Sequence, residues 1–450
     1  MLQTIVNAFK VADLRKKLIF TALIVLIFRV GSAIPVPFTN IGEAGIIADP
    51  NAGTFMNYLS MMTGDAFNYG TIFAMSITPY INSSIIMQLL AVAIPALERL
   101  QKEGEEGRKK IATITRFVTI ALGLLQSTAY FFYLRSQGYI VKDAAGANFT
   151  GFAAVFQALV IILTFTAGTA LIMWLGERIN EKGIGNGISI ILFAGIVSRI
   201  PTLAATLFGS TGYFSHGGPY YFLSPLVAVI LVLMIAFIVW MDNSERRIPV
   251  QYAKRVVGRK MYGGQSTHIP IKVNMSGVMP VIFASSILSL PPTIEMFVSS
   301  KIKEGGFWDG FFKIFSAEHW VYSIIYFVMI IAFAYFYASI QYNPIEMSKN
   351  IRDNGGSIPG IRPGEPTSRY IGKILNRITL LGALLLSVVA LFPIVFSQVT
   401  TFFLGMWQEG ASMNVSLGGT SIIILVGVAL ERVKQLESQM MMRHYKGFLD

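Results

Sequence analysis

The sequence predicts an all-α membrane protein: ten transmembrane helices in two pseudo-symmetric halves of five. Three observations predict it. The 450 residues are 54% hydrophobic and only 13% charged, with mean hydropathy +0.59, whereas soluble domains carry about 25% charged residues. Apolar runs of about 20 residues recur, the length a helix needs to cross a bilayer. Lys and Arg are concentrated in alternate connections between those runs. The runs lie near residues 18–37, 72–96, 114–134, 152–175, 184–208, 222–241, 276–298, 320–340, 374–394 and 416–433. Halves of five spans enter the membrane from opposite sides, which makes an inverted repeat with a path at its interface.

The first element is an arm, residues 1–17, "MLQTIVNAFKVADLRKK". It is too polar for the core of a signal peptide, and no small-residue cleavage site follows the next apolar run. Leu2, Ile5, Val6 and Phe9 recur at helical spacing, so the arm is expected to lie amphipathically on the membrane surface. The first half follows over 18–208. Its first span carries Arg29 near the far end, where the long side chain is expected to snorkel. Its second span, "SITPYINSSIIMQLL" (76–90), contains Pro79, Asn82, Ser83, Ser84 and Gln88, and lipid offers those groups no partner. At 3.6 residues per turn Ile81, Ile85 and Gln88 share a stripe with Ser84 beside it. The stretch "KGIGNGIS" (182–189) meets no nucleotide fingerprint and reads as a flexible start to the fifth span. In that span Ile188 and Leu192 are again four apart.

The second half covers 209–433, with long connections at 242–275 and 341–373 and a tail at 434–450. Its seventh span, "GVMPVIFASSILSLPP", combines proline, paired serines and a central Ile282; its tenth opens "GGTSIIILVG". Small polar residues serve close helix packing in any single span. Several such spans without buried charge suggest instead a cavity wet at its ends and apolar at its waist, with the second and seventh spans facing each other. "GGSIPGIRPGEP" (355–366) reads as an ordered turn at a loop tip.

Orientation follows from the basic residues. Connections 39–71 and 395–415 contain no Lys or Arg, whereas 97–113, 242–275 and 341–373 are rich in both, as are the termini. Both termini and the basic loops are therefore expected in the cytoplasm, and this asymmetry accounts for most of the net charge of +12.

Chemistry is not visible. Asp and Glu avoid the middles of the spans, the four His residues are scattered outside them, and cysteine is absent. There is no phosphate loop. No cofactor is expected, and a membrane enzyme lacks a catalytic constellation. An ion-coupled secondary transporter with inverted repeats is the alternative to a channel, and ionisable groups at mid-membrane would favour it.

A family resemblance sharpens this. "TPYINSSIIMQLL" (78–90), "KEGEEGRKKI" (102–111), "GERINEKGIGNGIS" (176–189), "STHIPIKVNMSGVMPVIFASSI" (266–287), "GIRPGEPT" (360–367) and "LGGTS" (417–421) resemble the SecY family, channel subunits of the bacterial preprotein translocase. The resemblance covers nearly the whole chain in order. It implies a ten-helix bundle of two inverted halves in the bacterial cytoplasmic membrane. It implies a channel that passes unfolded, signal-bearing preproteins across, or releases apolar segments into membrane lipid. The family's apolar pore ring falls on Ile81, Ile85, Ile188, Leu192, Ile282 and Ile424. Leu192 departs from the usual Ile. Ser76 departs from a usual glycine, which puts the local backbone in question.

The resemblance also places a plug at 61–71: Met61, Met62, Thr63, Gly64, Asp65 and Ala66, then Phe67, Asn68, Tyr69, Gly70 and Thr71. A lateral gate held by weak hydrogen bonds is expected at Ser83, Ser84, Gln88, Ser285 and Ser286. Arg362 matches a position critical for the motor ATPase SecA, and Lys254 and Arg255 match a ribosome-facing tip. SecE and SecG are the small partner subunits the resemblance implies.

Overall fold

The structure is a computed structural model. It describes residues 7–41, 45–46, 60, 63–142, 149–209, 213–216, 218, 220–252, 255–257, 260–262, 266–298, 306–315, 319–407 and 419–446. In the first half, α1 (Ala12–Gly31) is the first span. The second is the short α2 (Thr78–Ala93), which bends by 106° into α3 (Pro95–Lys102). Pro95 causes the bend, because it cannot donate into the preceding turn. Two 32-residue helices follow, α4 (Glu105–Ser136) and α5 (Gly151–Lys182). The fifth span is broken at Arg199 into α6 (Gly187–Ser198) and α7 (Ile200–Phe208).

The second half begins with α8 (Tyr220–Asn243). Its seventh span is broken at Ser289 into α9 (Met279–Leu288) and α10 (Leu290–Val298). After α11 (Phe307–Ile314) come α12 (Trp320–Gln341), α13 (Pro344–Asp353), α14 (Glu365–Trp407) and α15 (Gly419–Lys446). The tenth span and the tail to Lys446 are thus one helix. The tenth span's expected start, 416–418, lies outside the described residues.

The helix pairings repeat between the halves. In the first, span one packs on four and five, two on three and four, three on four, and four on five. In the second, six packs on nine and ten, seven on eight and nine, eight on nine, and nine on ten. The same pairing pattern in two sequence segments is what a duplicated architecture produces. The halves meet at two main places, α6 on α15 and α10 on α4. Two large apolar cores each draw mainly on one half but take buried side chains from the other, Leu203 and Leu207 in one and Ile424 and Val428 in the other, and Val278 and Leu425 pack against both. The outer faces of the long helices are apolar and exposed, as at Phe117, Phe152, Leu159, Val232 and Ile324. Helices apolar on the outside as well as the inside belong in a bilayer, so the chain is a multi-pass membrane protein.

Connection 242–275, read only as a long basic loop, folds as strands. β1 (Glu245–Tyr252) pairs antiparallel with β4 (Ser266–Lys272), in register Ile248↔Ile269, and with β5 (Gly356–Ser357) on its other edge. β2 (Arg255–Val257) and β3 (Lys260–Tyr262) continue the hairpin toward its tip. Ile248, Val250, Ile271, Met275, Ile351, Ile358, Ile371 and Leu375 form a separate core that ties this sheet to α13 and the base of α14.

Candidate functional site

Spans two and seven hold corresponding places in the two halves, and both are short. Each helix begins with a proline in its first turn, Pro79 in α2 and Pro280 in α9, where the missing N–H is no loss. Ten and sixteen residues give about 15 and 24 Å of helix, less than the ~30 Å hydrocarbon thickness. A pair of short or interrupted spans at matching positions marks a path between repeats.

One apolar cluster gathers side chains from both halves at this place. Leu192 and Ile424 are buried within it, and Ile81, Ile188 and Ile282 are half-buried against it. Five of the six expected ring residues therefore converge from α2, α6, α9 and α15. Ile85 is also buried, one turn along α2, but is not among the cluster's members.

Local geometry holds these side chains in place. "KGIGNGIS" is not a loose start to the fifth span. Asn186 caps α6 by accepting from the Ile188 N–H at 3.0 Å, and Asn180 Oδ1 accepts from the Gly187 N–H at 2.7 Å. Gly187 lies against the Gly176 carbonyl, where a Cβ would collide. These contacts set where Ile188 enters the cluster. Gly185 has φ +74° and lies against the Arg432 guanidinium of α15, with Gln435 beside it.

The expected gate residues divide. Ser83 Oγ donates to the Thr115 carbonyl at 2.8 Å, so its hydrogen bond ties α2 to α4 rather than to the seventh span. The Gln88 amide donates to Ser84 Oγ at 3.4 Å, within α2, and Gln88 is exposed. Ser285 Oγ donates to the Ile282 carbonyl, and the Ser286 carbonyl accepts from Ser289 Oγ, both within their own turns.

Met61 and Met62 lie outside the described residues. From Thr63 to Thr71 the chain is a compact series of turns, knit by Phe67 N–H to Thr63 Oγ1 and Thr71 Oγ1 to the Ala66 carbonyl. Tyr130 of α4 donates to the Phe67 carbonyl at 2.6 Å. Arg29 does not simply snorkel. Its guanidinium donates to the Gly64 carbonyl at 3.1 Å and to Ser198 Oγ at 3.3 Å. Arg199 pairs with Asp65 at 3.1 Å, and Asp65 also accepts from Ser60 Oγ at 2.9 Å. The sequence reading missed Arg199. The signal was there, a cation just before Ile-Pro inside an apolar run, which marks a broken helix carrying a charge.

Beside the core under the β1–β4–β5 sheet Arg362 is exposed, while its carbonyl accepts from Thr367 Oγ1 at 2.8 Å and the nearby Gly364 carbonyl accepts from Ser348 Oγ at 2.8 Å. Lys254 lies outside the described residues; Arg255 starts β2, opposite Tyr262. Among the described residues, no three His, Asp or Glu side chains gather as a metal site.

The SecY family model matches residues 71–433. The chain belongs to the SecY family. It is 42% identical over 454 residues, the full length of both chains, to the protein translocase subunit SecY of Streptomyces galbus. Its fold is similar to a solved SecY channel at TM-score 0.60 and 17% identity, covering 95% of this chain and 92% of that one. In that channel the plug domain is described as stabilising the closed state and maintaining a membrane seal. It is similar also to Sec61 in the canine ribosome–channel complex, at TM-score 0.57, 17% identity and the same coverage. Nothing in these likenesses favours a secondary transporter. A SecY-family chain is a channel subunit rather than an enzyme, and the ten-helix, two-half architecture is that of the family.

Proposed function

We propose that this chain is a protein-conducting channel of a bacterial cytoplasmic membrane, with both termini in the cytoplasm. It passes unfolded, signal-bearing preproteins across and releases apolar segments sideways into lipid. The observation that carries the reading is the convergence of five aliphatic side chains, from four helices of both halves, on one cluster beside two short spans. An extended polypeptide cannot cross hydrocarbon, because each unpaired backbone group costs several kcal/mol. A wet path satisfies those groups but leaks ions. A narrow apolar waist resolves the conflict by dewetting at rest. Aliphatic side chains form no hydrogen bonds with the passing chain, so its sequence does not matter.

Ile81, Ile85, Ile188, Leu192, Ile282 and Ile424 are the ring in this reading, and residues 61–71 are the plug. The lateral seam runs between α2 with α4 and α9 with α10. Ser84, Gln88, Ser285 and Ser286 line it; Ser83 serves the α2–α4 contact instead. Family membership and the polar composition of these spans support this assignment. The proposed partners are SecE and SecG as companion subunits, SecA docking near Arg362, and the ribosome docking at Lys254 and Arg255. A likeness to a ribosome-bound channel and the basic loops support the last, because basic side chains on RNA phosphates give salt-sensitive binding. The chain contains no nucleotide site in its sequence, so the driving energy comes from a partner.

Reconstitution tests the reading. Vesicles holding this chain with SecE and SecG, supplied with SecA and ATP, are expected to shelter a signal-bearing preprotein from external protease. Equal shelter in vesicles lacking the chain would count against it.

A further inference from the structure

Two arginines from different spans close on one short segment. Arg29 leaves the end of α1 and donates to the Gly64 carbonyl and Ser198 Oγ. Arg199 stands at the break between α6 and α7 and pairs with Asp65, while its other nitrogen reaches Ser60 Oγ at 3.4 Å. The Arg199 and Asp65 side chains are only 11% and 19% exposed. Gly64 has φ +64°, and a Cβ there would lie 2.7 Å from Ser198 Oγ and 2.9 Å from the Gly195 carbonyl. The segment is therefore seated directly on the last turn of α6.

That helix also carries Ile188 and Leu192 into the apolar cluster. Leu192 and Arg199 are seven residues, or about 10.5 Å, apart, and Arg199 is the residue that caps the C-terminus of α6, its N–H bonded back to Ile196 and Val197. Any movement of α6 that widens the waist must carry Arg199 with it. We infer that the Arg199–Asp65 pair, with Arg29 on Gly64, is a polar latch that couples widening of the waist to release of residues 63–71. This rests on the plug reading above. The chemistry suits reversible release. An apolar seat would resist exposure to water, but carboxylate, guanidinium and hydroxyl groups rehydrate once separated. A largely buried pair is also specific, because removing one partner leaves the other charge uncompensated.

A double-mutant cycle tests the latch. Asp65→Asn and Arg199→Gln are each expected to raise resting ion conductance of reconstituted channels about tenfold, with protein level and trypsin resistance matching the parent. Asp65→Asn/Arg199→Gln is expected to leak no more than the worse single variant, and Arg199→Lys to leak less than Arg199→Gln. Additive leakage, or no leakage, would overturn the latch. The chain has no cysteine, so Asp65→Cys/Arg199→Cys gives a single thiol pair that a bis-methanethiosulfonate reagent can bridge. Bridging is expected to stop transport and reduction to restore it. If the locked channel still transports, the plug reading itself fails. If the lock blocks transport but the cycle is additive, the plug stands and the latch alone falls.

Discussion

Ser76 turns the chain into α2 with φ +47°, a conformation costly for a residue with a Cβ. Its hydroxyl is buried without a hydrogen-bond partner. Ser76→Gly removes both penalties and is expected to raise stability by about 1 kcal/mol in denaturant unfolding in detergent. A loss of stability would show that this turn gains something from the hydroxyl. Five residues on, Ile81 packs against the same apolar cluster as Ile282 of the other half. Ile81→Asn or Ile282→Asn wets the waist, so resting ion conductance is expected to rise roughly tenfold. Unchanged conductance would remove these residues from the gate. The aliphatic set was legible in the sequence through helical spacing together with the family's motifs. The positive φ was legible only as a serine where glycine is usual. The role of Arg29 was not legible, because a helical wheel says nothing of a loop that returns 35 residues later to offer a carbonyl.

The β1–β4 hairpin shows how an element hides in sequence. Ile248 and Val250 alternate with polar residues, as a half-buried strand requires, but Pro249 and the surrounding charges argue against one. The structure accommodates the proline because β5 reaches only Gln251 and Tyr252, which leaves β1 an open edge at Pro249. The core beneath this sheet and the hydrogen bonds of Thr367 and Ser348 hold the backbone around Arg362 while its side chain stays exposed. Arg362→Glu is accordingly expected to abolish SecA-driven transport while membrane insertion and protein level stay normal. Thr367→Val is expected to lower the same rate only severalfold, by loosening the support. Wild-type transport by Arg362→Glu would separate this loop from the motor. The glycine turn before α6 is a second hidden element. Gly185→Ala adds a side chain at φ +74° where the Arg432 guanidinium lies, and is expected to cost about 1–3 kcal/mol of stability by the same unfolding measurement.

Across the whole molecule, one pairing pattern occurs twice, and the two copies touch mainly through α6 on α15 and α10 on α4. The first of these contacts lies within the apolar cluster, where Leu192 of α6 and Ile424 of α15 are both buried, so a chain threading that cluster must part helices from both halves. Number of spans and basic-loop asymmetry made the ten-span plan legible in composition. The pairing order was not, because every span is apolar on its outer face as well, and hydropathy cannot say which side meets a neighbour and which meets lipid. The breaks in spans two, five and seven were visible as Pro95, Pro201 and the Pro291–Pro292 pair, but their meaning depends on which helices they bring together.

The central claim is that a translocating chain passes through this waist. The most direct measurement places a photo-crosslinking side chain in turn at positions 81, 85, 188, 192, 282 and 424, with controls at the outward-facing Phe152 and Val232. A secretory chain stalled in transit is then trapped. The account predicts crosslinks from the six inner positions and none from the two controls. Crosslinks of equal strength from the controls, or silence at all six inner positions, would contradict it.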